Sequence, residues 1–112
     1  MAWSHLLAYF FAGIFGANFV PHYVAGVLGR ELQTPFAKPP FQGLSPPRVN
    51  VLWALANLAV AYSLLAFVGD FDLRRGLHAG AFGLGLTAWS LMLARSFGRL
   101  YSGKRGALPS GH

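Results

Sequence analysis

Asn18-Phe19-Val20-Pro21-His22 lies inside a long apolar run, Leu6 to Leu28. Pro21 removes a backbone N–H there, so the Ala17 carbonyl loses its helical partner and the helix is expected to kink. Asn18 and His22 add two polar side chains one helical turn apart. In a lipid bilayer each of these groups is costly unless something within the protein pairs with it. The fold therefore turns on what this segment faces.

The run is one of three. Val49–Val68 and Leu77–Ala94 are likewise free of Asp, Glu, Lys and Arg, and each run is about as long as a membrane-spanning helix needs. Of the 112 residues 54% are hydrophobic and 11% charged, far less charge than the roughly 25% usual in a soluble domain. A chain this short could not cover three all-apolar helices with polar surface, so a soluble bundle is disfavoured. The reading is an all-α membrane protein with three transmembrane helices and a proline-rich interfacial loop between helices one and two. It forms a single domain over 1–101, with spans at about 5–29, 46–69 and 73–101, an inner loop at 30–45 and a disordered cytoplasmic tail at 102–112. No Lys or Arg precedes Arg30, so the first run lacks the basic start of a signal peptide and reads as a retained span.

Charge sets the orientation. Arg30, Lys38, Arg48, Arg95, Arg99, Lys104 and Arg105 would share one side of the membrane; Arg74 and Arg75 fall on the other. Seven against two predicts the N-terminus outside and the C-terminus in the cytoplasm, as in a bacterial inner membrane. The cations also favour anionic lipid at the inner face. They flank apolar runs instead of forming a patch with interleaved aromatics, so no nucleic-acid partner is expected.

The connection at 30–48 holds five of the seven prolines, which rules out helix and central strand. Leu32, Phe36, Phe41 and Leu44 make it too apolar for a solvated linker. Pro35, Phe36, Pro39 and Pro40 are expected to lie in an ordered loop packed on the helix ends. Ser45 reads as the N-cap of helix two with Pro46 at its first position, Gly69 as its C-cap and Asp72 as the N-cap of helix three. Trp3 and Tyr9 read as interfacial anchors of helix one.

At 100° per residue the small and polar positions form stripes. In helix three these are Gly76, Gly80, Gly83, Thr87, Ser90 and Ala94. Gly76 and Gly80 form a GxxxG, and Gly76, Gly80 and Gly83 are expected to carry the tight helix packing. The stripe of helix two is Asn50, Ala54, Asn57 and Ala61; that of helix one is Asn18, His22, Ala25 and Gly29. By depth, Asn18, Asn57 and Thr87 lie near mid-membrane, with His22, Asn50 and Ser90 one layer inward, within about 6 Å of each other at 1.5 Å per residue. The six are expected to form a polar core that either knits the helices together or holds a ligand.

Reactive chemistry is sparse. The chain has no cysteine, which excludes disulfides and thiolate sites. Glu31, Asp70 and Asp72 all lie at span ends, so no carboxylate is embedded as proton-coupled transport requires. No nucleophile–base pair, phosphate loop or metal-ligand spacing appears; no catalytic residue, metal or cofactor is expected, and the chain does not read as an enzyme. His112 ends the tail. His5 and His78 lie near the outer interface, where a haem between helices one and three is conceivable. His78, however, shares a face with Phe82 and Trp89 opposite the glycines, and reads as facing headgroups or a partner. His22 alone is on an inward face.

Pro21-His22, Pro35-Phe36, Pro39-Pro40, Gly43-Leu44-Ser45, Asn50-Val51-Leu52-Trp53 and Asn57-Leu58 together resemble a group of small bacterial inner-membrane proteins with no known activity. The resemblance covers most of the chain; it implies no activity and transfers no functional residue. The expected function is association, as an accessory subunit of a membrane complex or as a small homo-oligomer. The alternative is a membrane binding or transport protein that holds a small ligand, lipid headgroup or cofactor at the His22 layer.

Overall fold

The computed structural model describes residues 3–106, with side chains described as far as Arg99. The chain is mostly helical. Its helices are α1 (Trp3–Val27), α2 (Pro47–Ala66) and α3 (Gly76–Gly106). Each is long and apolar enough to cross a membrane, α3 over Gly76–Arg99. α1 is the central element. It packs on both α2 and α3, which scarcely touch each other.

α1 runs unbroken through Pro21. Small residues set its distance to each neighbour. A Cβ on Gly26 would meet the Pro47 carbonyl oxygen at 2.8 Å and the Val51 nitrogen at 2.9 Å, so α2 starts against bare backbone of α1. The buried residues of α2 are Asn50, Ala54, Asn57 and Ala61, the stripe read from its periodicity. Ala12, Ala17 and Ala25 are buried on α1.

α3 presents the face opposite to the one expected. Gly76, Gly80 and Gly83 have nothing within 4 Å of a Cβ added to them, and Thr87 and Ser90 are exposed. The contact is made instead at Gly85, where a Cβ would strike the Phe10 carbonyl, and at Gly13, where it would strike the Phe82 carbonyl and come within 2.6 Å of the Leu86 nitrogen. One glycine on each helix brings the backbones together, and His78, Phe82 and Trp89 flank that point along α3. Large side chains beside a single close approach bury more surface than a stripe of glycines would, because a glycine offers little area to cover.

The ends of the helices also differ from the sequence expectation. α2 begins one residue later, with Pro46 as N-cap and no side-chain cap bond; the Ser45 hydroxyl is engaged with Thr34 instead. Its C-cap is Phe67, and Gly69, at φ +63°, lies beyond it. Asp72 caps a turn, its carboxylate accepting from the Arg74 N–H at 2.9 Å, and α3 begins only at Gly76. α3 then continues to Gly106, into the stretch read as a tail; residues 107–112 lie outside the described residues.

The 30–48 connection is folded. Two short strands, β1 (Leu32–Gln33) and β2 (Leu44–Ser45), pair antiparallel, Leu32 opposite Ser45 and Gln33 opposite Leu44. A strand pair was not foreseen. It is compatible with the prolines because they all lie outside the paired residues. The Thr34 hydroxyl accepts from the Phe36 N–H at 3.1 Å, and the Thr34 carbonyl accepts from the Phe41 N–H at 2.9 Å. Leu32, Thr34, Ala37 and Ser45 are buried, whereas Phe36 and Phe41 are exposed. Pro35 is half-buried, and Pro39 and Pro40 are exposed.

Candidate functional site: a polar-floored cleft between α2 and α3

Because α2 and α3 both lean on α1 and not on each other, a cleft opens between them with α1 as its floor. It encloses about 520 Å³, within the roughly 300–1,000 Å³ typical of small-molecule sites. Its walls are mainly aromatic and aliphatic: Phe11, Ile14 and Phe15 from α1, Trp53 from α2, and Trp89, Met92 and Phe97 from α3. Pro35 and Phe41 close the end of the cleft nearest the loop.

Two hydrogen-bonded layers underlie it. In the first, the Trp89 indole N–H donates to Asn18 Oδ1 at 3.2 Å, Asn18 Nδ2 donates to Asn57 Oδ1 at 3.1 Å, and Asn57 Nδ2 donates to the Trp53 carbonyl at 2.7 Å. The direction is fixed at both ends, by an indole that can only donate and a carbonyl that can only accept. This chain links α3 to α1 to α2 at mid-helix. Each such bond contributes roughly 0.6 kcal/mol in lipid, about 1.7 at most.

In the second layer, His22 Nδ1 lies 2.7 Å from Asn50 Oδ1. Asn50 Nδ2 faces three carbonyls, Ser45 at 3.0 Å, Pro46 at 3.2 Å and Leu32 at 3.4 Å. Only the NH2 end of the amide can occupy that position, so the oxygen must point at His22. The imidazole therefore donates from Nδ1. His22 is buried, lines the cleft and meets Phe97 edge-on at 5.9 Å between ring centroids.

Of the six residues read as a polar core, Asn18, His22, Asn50 and Asn57 come together in these two layers. Thr87 and Ser90 do not: both are exposed, and Ser90 lines a separate groove beside Ala17 and Pro21 of α1, because that helix is turned the other way about its axis. Trp89 takes the place expected of Thr87. Its signal in the sequence was an indole N–H at mid-run depth, a donor that has to find an acceptor when buried.

A second cluster at the other end of the bundle was also missed. Tyr9, expected as an interfacial anchor, is fully buried and donates its hydroxyl to the Val68 carbonyl at 3.0 Å. His78, expected to face outward, is buried against it, with ring centroids 4.9 Å apart, and its Nδ1 accepts the Asp72 N–H at 2.9 Å. Phe71 completes the cluster, 5.0 Å from Tyr9. With Nδ1 accepting and the ring packed, His78 is a structural histidine that anchors the α2–α3 turn.

No protein-family model, no curated protein and no solved structure matches the chain.

Proposed function

We propose that the chain is an integral membrane protein that binds a small apolar molecule in the cleft between α2 and α3, at the His22 layer. The observation that carries this reading is the cleft itself: about 520 Å³ of mostly apolar wall over buried polar side chains. A purely structural polar layer would be covered by packed helices; here α2 and α3 stay apart above it. The chain would lie in a bacterial inner membrane, N-terminus outside and C-terminus in the cytoplasm, on the strength of the cation asymmetry. The exposed Arg30, Lys38 and Arg48 at the loop end would then meet anionic lipid. The test is protein purified in mild detergent, with bound small molecules extracted and weighed. Ser96 lines the cleft and is exposed, so Ser96→Trp should fill the space and abolish retention with thermal stability unchanged. Retention unaffected by that change would overturn the reading.

A second reading, association with other membrane subunits or with itself, is favoured by a different observation. The stripe of Gly76, Gly80 and Gly83 is open, with nothing among the described residues within 4 Å of a Cβ added to it. Surfaces of this kind let another transmembrane helix approach closely. Gly80→Leu should then leave the monomer folded and shift the oligomeric state seen by cross-linking in membranes. An unchanged pattern removes this reading.

A further inference from the structure

We infer that the cleft selects an occupant with a hydroxyl donor on an aromatic head, a lipid-soluble phenol or quinol, by offering it the lone pair of His22 Nε2; this rests on the binding reading above. The three carbonyls around Asn50 Nδ2 force Asn50 Oδ1 toward His22, and Oδ1 in turn requires the ring hydrogen on Nδ1. In a neutral imidazole one ring nitrogen carries the hydrogen and the other accepts. Nε2 is then an acceptor and nothing else. Among the described residues no hydrogen-bond donor meets it, and since no buried side-chain nitrogen there lacks a partner, Nε2 keeps accessible surface where His22 borders the cleft.

An acceptor so placed in an apolar slot discriminates by the hydrogen a guest can supply. A hydroxyl fills it; an ether or a quinone carbonyl sets lone pair against lone pair and leaves both unsatisfied. The walls favour a ring over a plain alkyl chain near His22. Phe97 lies edge-on to it, and Phe15, Trp53 and Trp89 line the same space, a setting in which aromatic guests gain beyond their buried area.

The experiment uses the full chain in detergent with Trp3→Phe, so that the remaining tryptophans, Trp53 and Trp89, both line the cleft. The probes are a 4-alkylphenol with a brominated chain end and its methyl ether, equal in shape except for the donor, each titrated by quenching. The phenol should bind about three- to ten-fold more tightly, the range of one hydrogen bond, and the difference should vanish in His22→Leu. Should that variant fail to fold, the two probes on the unsubstituted His22 protein still decide the matter. Equal binding of both, abolished by the cleft-filling Ser96→Phe, which adds no tryptophan, overturns the donor selection and leaves the cleft reading intact. Quenching by either probe that Ser96→Phe does not alter overturns both. A Soret band or bound metal in the purified protein would assign Nε2 to a metal ion and overturn the inference.

Discussion

Asn50 stands where α1, α2 and the loop meet, and its amide uses both ends: the oxygen takes His22, the nitrogen faces carbonyls of Leu32, Ser45 and Pro46. Removing it strands buried groups on three segments at once, and such groups cost about 1–3 kcal/mol each when left unpaired. Asn50→Ala should therefore lower thermal stability by more than Asn57→Ala, whose own bonds go to Asn18 and one carbonyl of its own helix. A smaller loss at Asn50 would mean that the loop is held by its own strand pair. Trp89→Phe isolates a single bond, the one to Asn18, and should cost no more than about 2 kcal/mol. The histidines divide by burial: His22→Leu and His78→Leu should both destabilise more than His5→Leu, because the first two are buried and bonded. Denaturation in detergent, read by tryptophan emission, measures all of these.

α3 makes its case as an element. Periodicity placed its small residues on one line and its bulky ones on another, and it left open which line faces α1. Gly85→Leu and Gly13→Leu each drive a side chain into the backbone of the opposite helix. Overpacking of that kind costs about 1–3 kcal/mol, and more where neither backbone can yield. Gly80→Leu and Gly83→Leu meet open space and should leave the fold of the single chain intact. Yields and melting temperatures of the four variants give the answer directly; equal effects at all four would mean that α3 is rotated from the face described here.

For the whole molecule the prediction is orientation. Gln42 is exposed at the loop end and Asp70 at the opposite end, so cysteine at each reports one side of the membrane in a chain with no cysteine of its own. Gln42→Cys should resist a membrane-impermeant thiol reagent in intact cells, and Asp70→Cys should react. Labelling of Gln42→Cys from outside reverses the orientation and moves the cleft's inner end to the other face.

What the sequence by itself determined is the set of helices and the position of each polar residue along them. Both follow from run length and from the position of Asn18, His22, Asn50 and Asn57 within the runs, quantities that do not depend on neighbours. The facing of α2 was legible as well, because one stripe collects both asparagines, Asn50 and Asn57, together with Ala54 and Ala61. The facing of α3 was decided only by tertiary structure. Its two faces, one of glycines with Thr87 and Ser90, the other of His78, Phe82 and Trp89, would both be acceptable to lipid, and in a bilayer hydrocarbon would supply no hydrophobic contrast to choose between them. The choice fell to shape: Gly85 meets Gly13, the Trp89 N–H reaches Asn18, and Tyr9 closes over His78. The cleft is likewise a tertiary product. It exists because α2 and α3 are each held by α1 and kept apart from one another, a relation between helices that no single helix encodes.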